Sequence, residues 1–173
     1  MRQMPQRADA EHKAAAPRSI RCFVLTVSDT RTEATDTSGR AIADLLTAAG
    51  HGVAGRAIVI DEPSLVREAV ERQLANPDVQ VIITTGGTGI TSRDSTYEAI
   101  AALLDKRLDG FGELFRMLSY EQIGAAAMMS RACAGLAKGR IIVSLPGSEN
   151  AVRLAMERLV VPELGHMVQQ ASR

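Results

Sequence analysis

The sequence predicts an α/β sandwich with a mostly parallel sheet. Short apolar runs rich in β-branched residues alternate along the chain with amphipathic segments of helical period, which is the pattern of parallel sheets with helical crossovers. One such run ends at Thr85 and passes through a glycine-rich loop into a helix-like segment, an arrangement that places a ligand at the carboxyl end of a strand. At 173 residues the chain is long enough for one domain with a substantial core.

Four segments have the composition of buried strands. They are short, mainly apolar runs that contain Val, Ile or Leu, and residues 20–28 are nearly continuously apolar, as expected for a strand covered on both faces. The predicted strands cover residues 20–28, 53–60, 79–85 and 140–145. Polar or glycine-rich residues follow each of them, so we expect four loops at the carboxyl edge of one sheet.

Helices are predicted between and after these strands. The first begins near Thr37 or Ser38, which suit an N-cap, and the spacing of Ile42, Leu45, Leu46 and Ala49 gives it one apolar face. Further helices are predicted from Pro63 to Leu74, around residues 99–104, over 111–124 and around 152–160. Residues 125–137 fit either a helix or a loop, and Pro162 either kinks the last helix or begins another.

The composition excludes several classes of protein. The formal net charge is zero, whereas a general nucleic-acid binder normally carries a basic excess. No apolar run approaches the roughly 18 residues that span a bilayer, and the N-terminal segment has no apolar core of a signal peptide. We therefore expect a cytoplasmic protein in which Cys22 and Cys133 are buried, reduced thiols. The three histidines are scattered and form no metal-ligand motif.

The predicted organisation is a flexible N-terminal arm over residues 1–18 and a single domain over residues 19–173. The arm mixes charged residues with Gln, Ala and Pro, and such termini are commonly mobile. Packing of the arm on a neighbouring subunit is the alternative. No composition shift inside the rest of the chain suggests a second domain.

The strongest local signal is the glycine-rich loop after the third strand, residues 84–94. Gly86, Gly87 and Gly89 each cost about 0.5–1 kcal/mol of backbone entropy, which a simple connector does not require. Backbone N–H groups in such a loop and at a following helix start favour phosphate. The loop matches neither the Walker A motif nor Gly-x-Gly-x-x-Gly. Arg93 and Arg116 are candidates for phosphate contact, although Arg116 is equally consistent with a solvated helix residue.

Acidic residues follow three of the predicted strands. Asp61 and Asp94 are candidate Mg²⁺ ligands, since magnesium uses few protein carboxylates together with phosphate oxygens. Either residue would also serve as a helix cap, worth about 1 kcal/mol. Asp29 and Asp36 lie in a polar loop, where capping a turn and contacting a ligand are equally plausible functions.

Several motifs occur in an order and spacing that resemble the molybdenum-cofactor biosynthesis family of MoaB, MogA and the gephyrin G domain. The stretch over residues 115–124 is most similar to the MoaB branch, and the resemblance covers about residues 18–165. The matching segments are Leu25–Asp29, Asp36–Gly39, Thr84–Gly89, Arg93-Asp94, Gly110–Glu113, Phe115–Ser119, Ser130-Arg131 and Leu145–Ser148.

The resemblance implies a three-layer α/β/α sandwich that assembles into a homotrimer or a dimer of trimers. It also implies a molybdopterin adenylyltransferase that transfers AMP from Mg-ATP to molybdopterin and releases pyrophosphate. A partner enzyme then inserts molybdate into the adenylylated pterin. A non-catalytic molybdopterin- or nucleotide-binding or scaffold protein of the same pathway is the alternative, and a nucleotide-processing protein outside molybdenum metabolism is a third interpretation.

The resemblance assigns roles by position. Asp61 and Asp94 match the acidic positions linked to Mg²⁺ and catalysis, and Asp36 and Ser38 match a loop on the pterin side. The loop that holds ligand phosphate corresponds to Thr85, Gly86, Gly87, Thr88 and Gly89, with Arg93 beyond it, and the loop that helps to hold nucleotide corresponds to Pro146, Gly147 and Ser148.

Overall fold

A computed structural model describes residues 16–173, in which six strands form one sheet. The strands are β1 (Arg21–Val27), β2 (Gly52–Val59), β3 (Val81–Thr85), β4 (Lys106–Arg107), β5 (Cys133–Ala137) and β6 (Arg140–Leu145). Their order across the sheet is β2-β1-β3-β6-β5-β4. The first four in this order are mutually parallel, whereas β5 runs antiparallel to β6 and to β4. The predicted mostly parallel sheet is therefore confirmed.

Six α-helices connect and follow these strands. They are α1 (Thr37–Ala48), α2 (Pro63–Leu74), α3 (Thr96–Ala101), α4 (Asp109–Ile123), α5 (Glu149–Ala155) and α6 (Val161–Ala171). A 3₁₀ segment, Gly124–Met129, follows α4, and a π-helical segment, Met156–Val160, joins α5 to α6. Pro162 lies in the first turn of α6, where its missing N–H costs least, so it begins a last helix.

Along the central strands of the sheet, the buried side chains alternate between two cores. In β1, Val24 belongs to the core under α1, α4, α5 and α6, whereas Leu25 belongs to the core under α2 and α3. In β6, Val143 and Ile142 divide in the same way. Helices therefore cover both faces of the sheet, which confirms the three-layer sandwich.

The prediction of a helix or loop over residues 125–137 is wrong in its second half, where β5 forms. A Cβ at Gly135 would collide with the Lys106 carbonyl oxygen on β4, so the small residues there reflect close packing rather than a loop. Lys138 and Gly139 join β5 to β6 with φ values of 48° and 74°, as in the tight turns of β-hairpins. The two-residue strand β4 also lacked a sequence signal, and α3 ends at Ala101, before residue 104.

The described part of the chain tests several smaller expectations. Cys22 and Cys133 are both buried and free, as expected, and burial raises the pKa of Cys22 to about 12. No helix within residues 16–173 is both long and apolar enough to cross a membrane. Most of the predicted arm, residues 1–15, lies outside the described residues. At its end, the Pro17 carbonyl lies against α6, 2.7 Å from where a Cβ at Gly165 would be.

Candidate functional site

A cavity of about 480 Å³ lies at the carboxyl edge of the sheet, where β1, β3 and β6 end. The chain passes from β1 to β2 on one side and then to β3 on the other, and such a reversal leaves a crevice at the strand ends. We call this space the first cavity. It is lined by Thr26, Val27, Ser28, Arg31, Asp36, Ser38, Thr85, Gly86, Gly87, Thr88, Gly89, Asp94, Ser130, Pro146, Gly147 and Ser148.

All the residues to which the family resemblance assigns a role line the first cavity except Asp61 and Arg93, and the other two candidates, Asp29 and Arg116, also lie outside its lining. The four predicted strand exits do share one edge, because β1, β2, β3 and β6 are parallel. Only three of these exits reach the cavity directly, since β2 lies at the outer side of β1. The exit of β2 instead carries Asp61, which lies behind the glycine loop, residues 84–94.

The glycine loop requires glycine at two consecutive positions. Gly86 and Gly87 have φ values of 107° and 68°, which other residues adopt only with strain. A Cβ at Gly86 would collide with the Val27 carbonyl, and one at Gly87 with the Thr96 hydroxyl. Among residues 16–173, no acceptor meets the backbone N–H of Gly87 or Thr88. These two donors are therefore open to a ligand oxygen.

Asp94 closes the glycine loop on itself. Its Oδ2 accepts hydrogen bonds from the Thr91 backbone N–H at 2.9 Å and from the Thr91 hydroxyl at 2.7 Å. Burial pushes the pKa of Asp94 up, but the bonds from Thr91 and from the Gly89 N–H, together with the charge of Arg131, lower it overall. Ser95, not Asp94, is the N-cap residue of α3. Asp94 therefore presents an ionised carboxylate to the cavity and does not cap the helix.

Asp61 lies behind the glycine loop, only 8% exposed. Its Oδ1 accepts a hydrogen bond from the Ser95 hydroxyl at 2.7 Å, and its Oδ2 lies 2.7 Å from where a Cβ at Gly87 would be. No donor within residues 16–173 reaches that Oδ2. The absence of a side chain at Gly87 thus lets the loop approach a carboxylate oxygen that the protein leaves open.

Arg93 fastens three loops together instead of lining the cavity. Its guanidinium donates to the Asp29 carboxylate at 3.0 Å, to Glu62 at 3.0 Å and to the Asp61 carbonyl at 3.2 Å. The Arg93 hydrogen bond and the Asp61 backbone N–H hold the pKa of Asp29 below its ordinary value. Arg93 is therefore a positioning residue for the acidic loops in this structure.

Asp36 is fully engaged by the protein, although it lines the first cavity. It is 2% exposed and caps α1 by accepting the Gly39 N–H at 2.9 Å. Its other oxygen accepts the Thr26 hydroxyl at 2.8 Å and pairs with Arg56 at 3.1 Å. Of the two interpretations of Asp36, capping is the one for which the structure provides a contact.

The hydroxyls of Ser38 and Thr85, which were predicted to contact substrate, instead hold the loop that follows β6. The Ser38 hydroxyl donates to the Gly147 carbonyl at 2.7 Å, and the Thr85 hydroxyl donates to the Pro146 carbonyl at 2.8 Å. Ser148 then caps α5 by accepting the Ala151 N–H. These contacts fix the β6 exit beside the glycine loop.

Ser130 and Arg131 lie between the 3₁₀ segment and β5 and were not among the predicted site residues, but Ser130 lines the first cavity and Arg131 contacts the glycine loop. The Arg131 backbone N–H donates to the Thr88 carbonyl at 3.0 Å, and its guanidinium donates to the Gly89 carbonyl at 2.6 and 2.9 Å. The same guanidinium pairs with Glu98 and lies 5.0 Å from the centre of the Tyr97 ring. Their only sequence signal was the Ser-Arg motif in the family resemblance.

The donor set around the glycine loop fits a magnesium ion that accompanies a phosphate ligand. Asp94 presents an ionised carboxylate, and Asp61 has an open oxygen behind Gly87. Within residues 16–173 no group of three or more His, Cys, Asp and Glu side chains converges. A cage made by the protein alone is therefore not formed here, but magnesium commonly takes one or two carboxylates plus phosphate oxygens and water.

Comparisons with known proteins identify the family. The family model described as "Probable molybdopterin binding domain" matches residues 23–166. Molybdenum cofactor biosynthesis protein B of Bacillus cereus is 52% identical over 164 residues, which cover 94% of this chain and 97% of that protein.

Solved structures agree with this match. A crystal structure of molybdenum cofactor biosynthesis protein B is similar with a TM-score of 0.87 and 51% identity, over 90% of this chain and 98% of that one. The tungsten cofactor synthesizing protein MoaB from Pyrococcus furiosus has a TM-score of 0.78 and 37% identity, over 91% of this chain and 100% of that one. With its glycine loop at the β1–β3 crevice, the chain belongs to the MoaB family of molybdenum cofactor biosynthesis proteins.

Proposed function

We propose that this chain is a molybdopterin adenylyltransferase, which transfers AMP from ATP to the phosphate monoester of molybdopterin. The observation that supports this most strongly is the pairing of open backbone donors with acidic residues around one loop. Gly87 and Thr88 offer N–H groups to a phosphate, while Asp94 lines the cavity at the end of the loop and Asp61 lies behind Gly87. Donors for phosphate oxygens and carboxylates for a cation are both needed for phosphoryl chemistry.

The proposed reaction is an in-line displacement at the α-phosphorus of ATP. A phosphate oxygen of molybdopterin attacks this phosphorus, the new phosphorus–oxygen bond forms, and the bond to the β-phosphate bridging oxygen breaks. Pyrophosphate leaves with the bonding electron pair, so no covalent enzyme intermediate is needed. The contribution of the protein is to position the two substrates and to stabilise charge in a confined cavity.

Individual residues have distinct parts in this proposal. The Gly87 and Thr88 N–H groups bind phosphate oxygens, and the loop at Pro146, Gly147 and Ser148 borders the nucleotide. Asp61 and Asp94 would hold Mg²⁺, which when bound neutralises phosphate charge and polarises the phosphorus–oxygen bonds. Ser38 and Thr85 act indirectly, by fixing the β6 exit through its carbonyl groups.

The deciding experiment is a direct assay of transfer. Purified protein is incubated with molybdopterin, ATP and Mg²⁺, pyrophosphate release is measured, and adenylylated pterin is identified by mass spectrometry. We expect both products in equal amounts, with none when molybdopterin or Mg²⁺ is omitted. Saturable binding of molybdopterin without either product would reject the transferase and leave a binding or scaffold protein of the same pathway.

We also propose that the chain acts as a homo-oligomer, a trimer or a dimer of trimers, and that a molybdate-inserting enzyme consumes its product. The outer face of α4 and the 3₁₀ segment that follows expose large apolar side chains, namely Leu114, Met117, Ile123, Met128 and Met129. An apolar patch of this kind usually marks an interface. Light scattering after size-exclusion chromatography tests this, and Met117→Glu is expected to shift the mass towards the monomer.

A further inference from the structure

A second cavity of about 440 Å³ lies on the other side of Ser130 and Arg131 from the first. Ser130 lines both cavities, so the two spaces meet at this residue. We call the second space the arginine cavity, because three guanidinium groups line it. They belong to Arg107, Arg116 and Arg131.

The three guanidinium groups differ in what they already bind. Arg107 pairs with Asp109 at 3.2 Å and donates to the Tyr97 hydroxyl at 2.9 Å. Arg131 is occupied by Glu98 and by the glycine loop. Arg116 has no ion pair within residues 16–173, and its one hydrogen bond there is a long one of 3.4 Å to the Ser130 carbonyl. Arg116 is thus the cation with binding capacity left.

The backbone of α4 is adapted to hold the Arg116 guanidinium close. A Cβ at Gly112, one turn earlier, would lie 3.0 Å from both terminal nitrogens of Arg116 and 3.0 Å from the Ala132 carbonyl. Glycine at this position therefore leaves the space that the guanidinium occupies. Arg116 is also only partly exposed, so its charge is less screened than that of a fully solvated arginine.

Other groups in the arginine cavity are compatible with an anion. Burial raises the pKa of the Cys133 thiol to about 11, against the lowering effect of the surrounding arginines, so this side chain is neutral. The Asp109 charge is balanced by Arg107. Glu113 is exposed, lines the cavity and forms no ion pair within the described residues. It is the one group expected to oppose an anion.

We propose that the arginine cavity, through Arg116, binds the diphosphate end of the nucleotide, while the α-phosphate lies at the glycine loop in the first cavity. This inference rests on the proposed adenylyl transfer and names where its leaving group lies. The first cavity is lined by Asp36 and Asp94 and by the single arginine Arg31. The neighbouring cavity contains the guanidinium groups, which bind phosphate through paired N–H donors.

Inorganic pyrophosphate is the probe, and its affinity is measured by calorimetry without Mg²⁺ on the full chain, so that no turnover is involved. Arg116→Ala is expected to weaken pyrophosphate binding by about tenfold or more, as for the loss of a charge-assisted hydrogen bond. Arg67→Ala removes an exposed arginine of α2 outside both cavities and is expected to leave the affinity unchanged. Equal affinities in wild type and Arg116→Ala would overturn the proposal.

Two more variants keep the test independent of folding. Arg116→Lys preserves the charge but not the paired donors, so we expect partial loss of pyrophosphate affinity, between those of wild type and Arg116→Ala. Glu113→Gln removes the opposing charge, so it is expected to strengthen binding. If both variants bind pyrophosphate as wild type does, the arginine cavity is not the diphosphate site.

Steady-state kinetics separates the two phosphate sources and the two proposals. Arg116→Ala is expected to raise the KM for ATP and to leave that for molybdopterin unchanged. A raised KM for molybdopterin alone would instead place the pterin phosphate in this cavity and overturn the diphosphate assignment. Binding of pyrophosphate that depends on Arg116, in a chain that forms no adenylylated pterin, would reject the transferase and retain the anion subsite.

Discussion

The loop between β1 and α1 and the glycine loop between β3 and α3 both carry an aspartate to the first cavity, but they use it differently. Asp36 in the former has accepted the Gly39 N–H, the Thr26 hydroxyl and an ion pair with Arg56. In the latter, Asp94 holds only its own loop, and the neighbouring Gly87 and Thr88 N–H groups stay open. The same residue type thus supports the fold in one loop, whereas in the other it faces the cavity, where we propose that it holds a cation.

The contrast shows that unused hydrogen-bonding capacity, rather than residue type, distinguishes a site from its scaffold. A buried polar group with every partner satisfied stabilises a conformation. A donor or carboxylate oxygen left open beside a cavity is available to a ligand. Variants that separate stability from activity therefore test whether Asp36 and Asp94 have these different functions.

The largest expected effect is on transfer activity. Asp94→Ala or Asp61→Ala is expected to lower kcat/KM for AMP transfer by about 10³-fold or more, since charge stabilisation in a confined phosphoryl-transfer site is worth about 4 kcal/mol. The melting temperature of Asp94→Ala should change little. The assay is pyrophosphate release, with the exposed Asp44→Ala on α1 as the matched control. Wild-type turnover in both variants would remove these carboxylates from the mechanism.

The next largest effect is on stability and concerns Asp36. Asp36→Ala is expected to lower the free energy of unfolding by about 3 kcal/mol, because it removes a helix cap and leaves the partly buried Arg56 without its partner. Urea denaturation measures this, again against Asp44→Ala. A variant as stable as wild type but unable to bind molybdopterin would assign Asp36 to the ligand and contradict the comparison.

Backbone geometry offers a smaller and better controlled test. Gly87 and Gly139 have similar φ values of 68° and 74°, but a Cβ at Gly139 would meet nothing within 4 Å. Gly139→Ala is expected to cost about 1 kcal/mol from φ alone, and Gly87→Ala about 2 kcal/mol because it also meets Thr96 and Asp61. Thermal unfolding compares the two variants. Identical losses would mean that the approach of the glycine loop to Asp61 is not constrained.

The smallest expected effect is a pH dependence at the exposed Asp29–Arg93 pair. The pKa of Asp29 is lowered in the folded chain, so its stabilising effect is present above the unfolded value of about 3.9 and is lost as the pH falls through the lower folded value. The fall in melting temperature below about pH 4 should therefore be slightly shallower in Asp29→Asn than in wild type. Parallel curves would show that this pair does not contribute.

The sequence was sufficient for the main frame of the fold because the apolar runs of β1, β3 and β6 have few other possible environments. The small residues of β5 were ambiguous, since Cys133–Ala137 has no apolar pattern of its own and forms a strand by pairing with β6 and β4, with Lys106 and Leu104 packed closely against Gly135. The contacts with β4 and Leu104 come from residues about 30 positions earlier in the chain. The strand β4, which has only two residues, likewise pairs with residues about 30 positions away.

The sequence predicted most residues of the candidate site but not the hydrogen bonds and ion pairs that join them. The glycine loop was evident because three glycines in four positions have a cost that needs a reason. The hydrogen bonds made by Arg93 and Arg131 were not evident, because the sequence does not indicate which carbonyl or carboxylate a loop arginine will contact. Arg116 was a candidate for phosphate contact, but its convergence with Arg107 and Arg131 was missed for the same reason, because the three residues come from β4, α4 and the segment before β5.

The position of β6 has a consequence for how the protein is made. It is the last strand in the sequence, yet it lies in the interior of the sheet between β3 and β5. The hydrogen bonds from Ser38 to Gly147 and from Thr85 to Pro146 span 109 and 61 residues, and contacts of such long range form slowly because their loop closure comes first. A nascent chain therefore exposes the edge of β3 until nearly the whole sequence has left the ribosome, and the cavity closes only then.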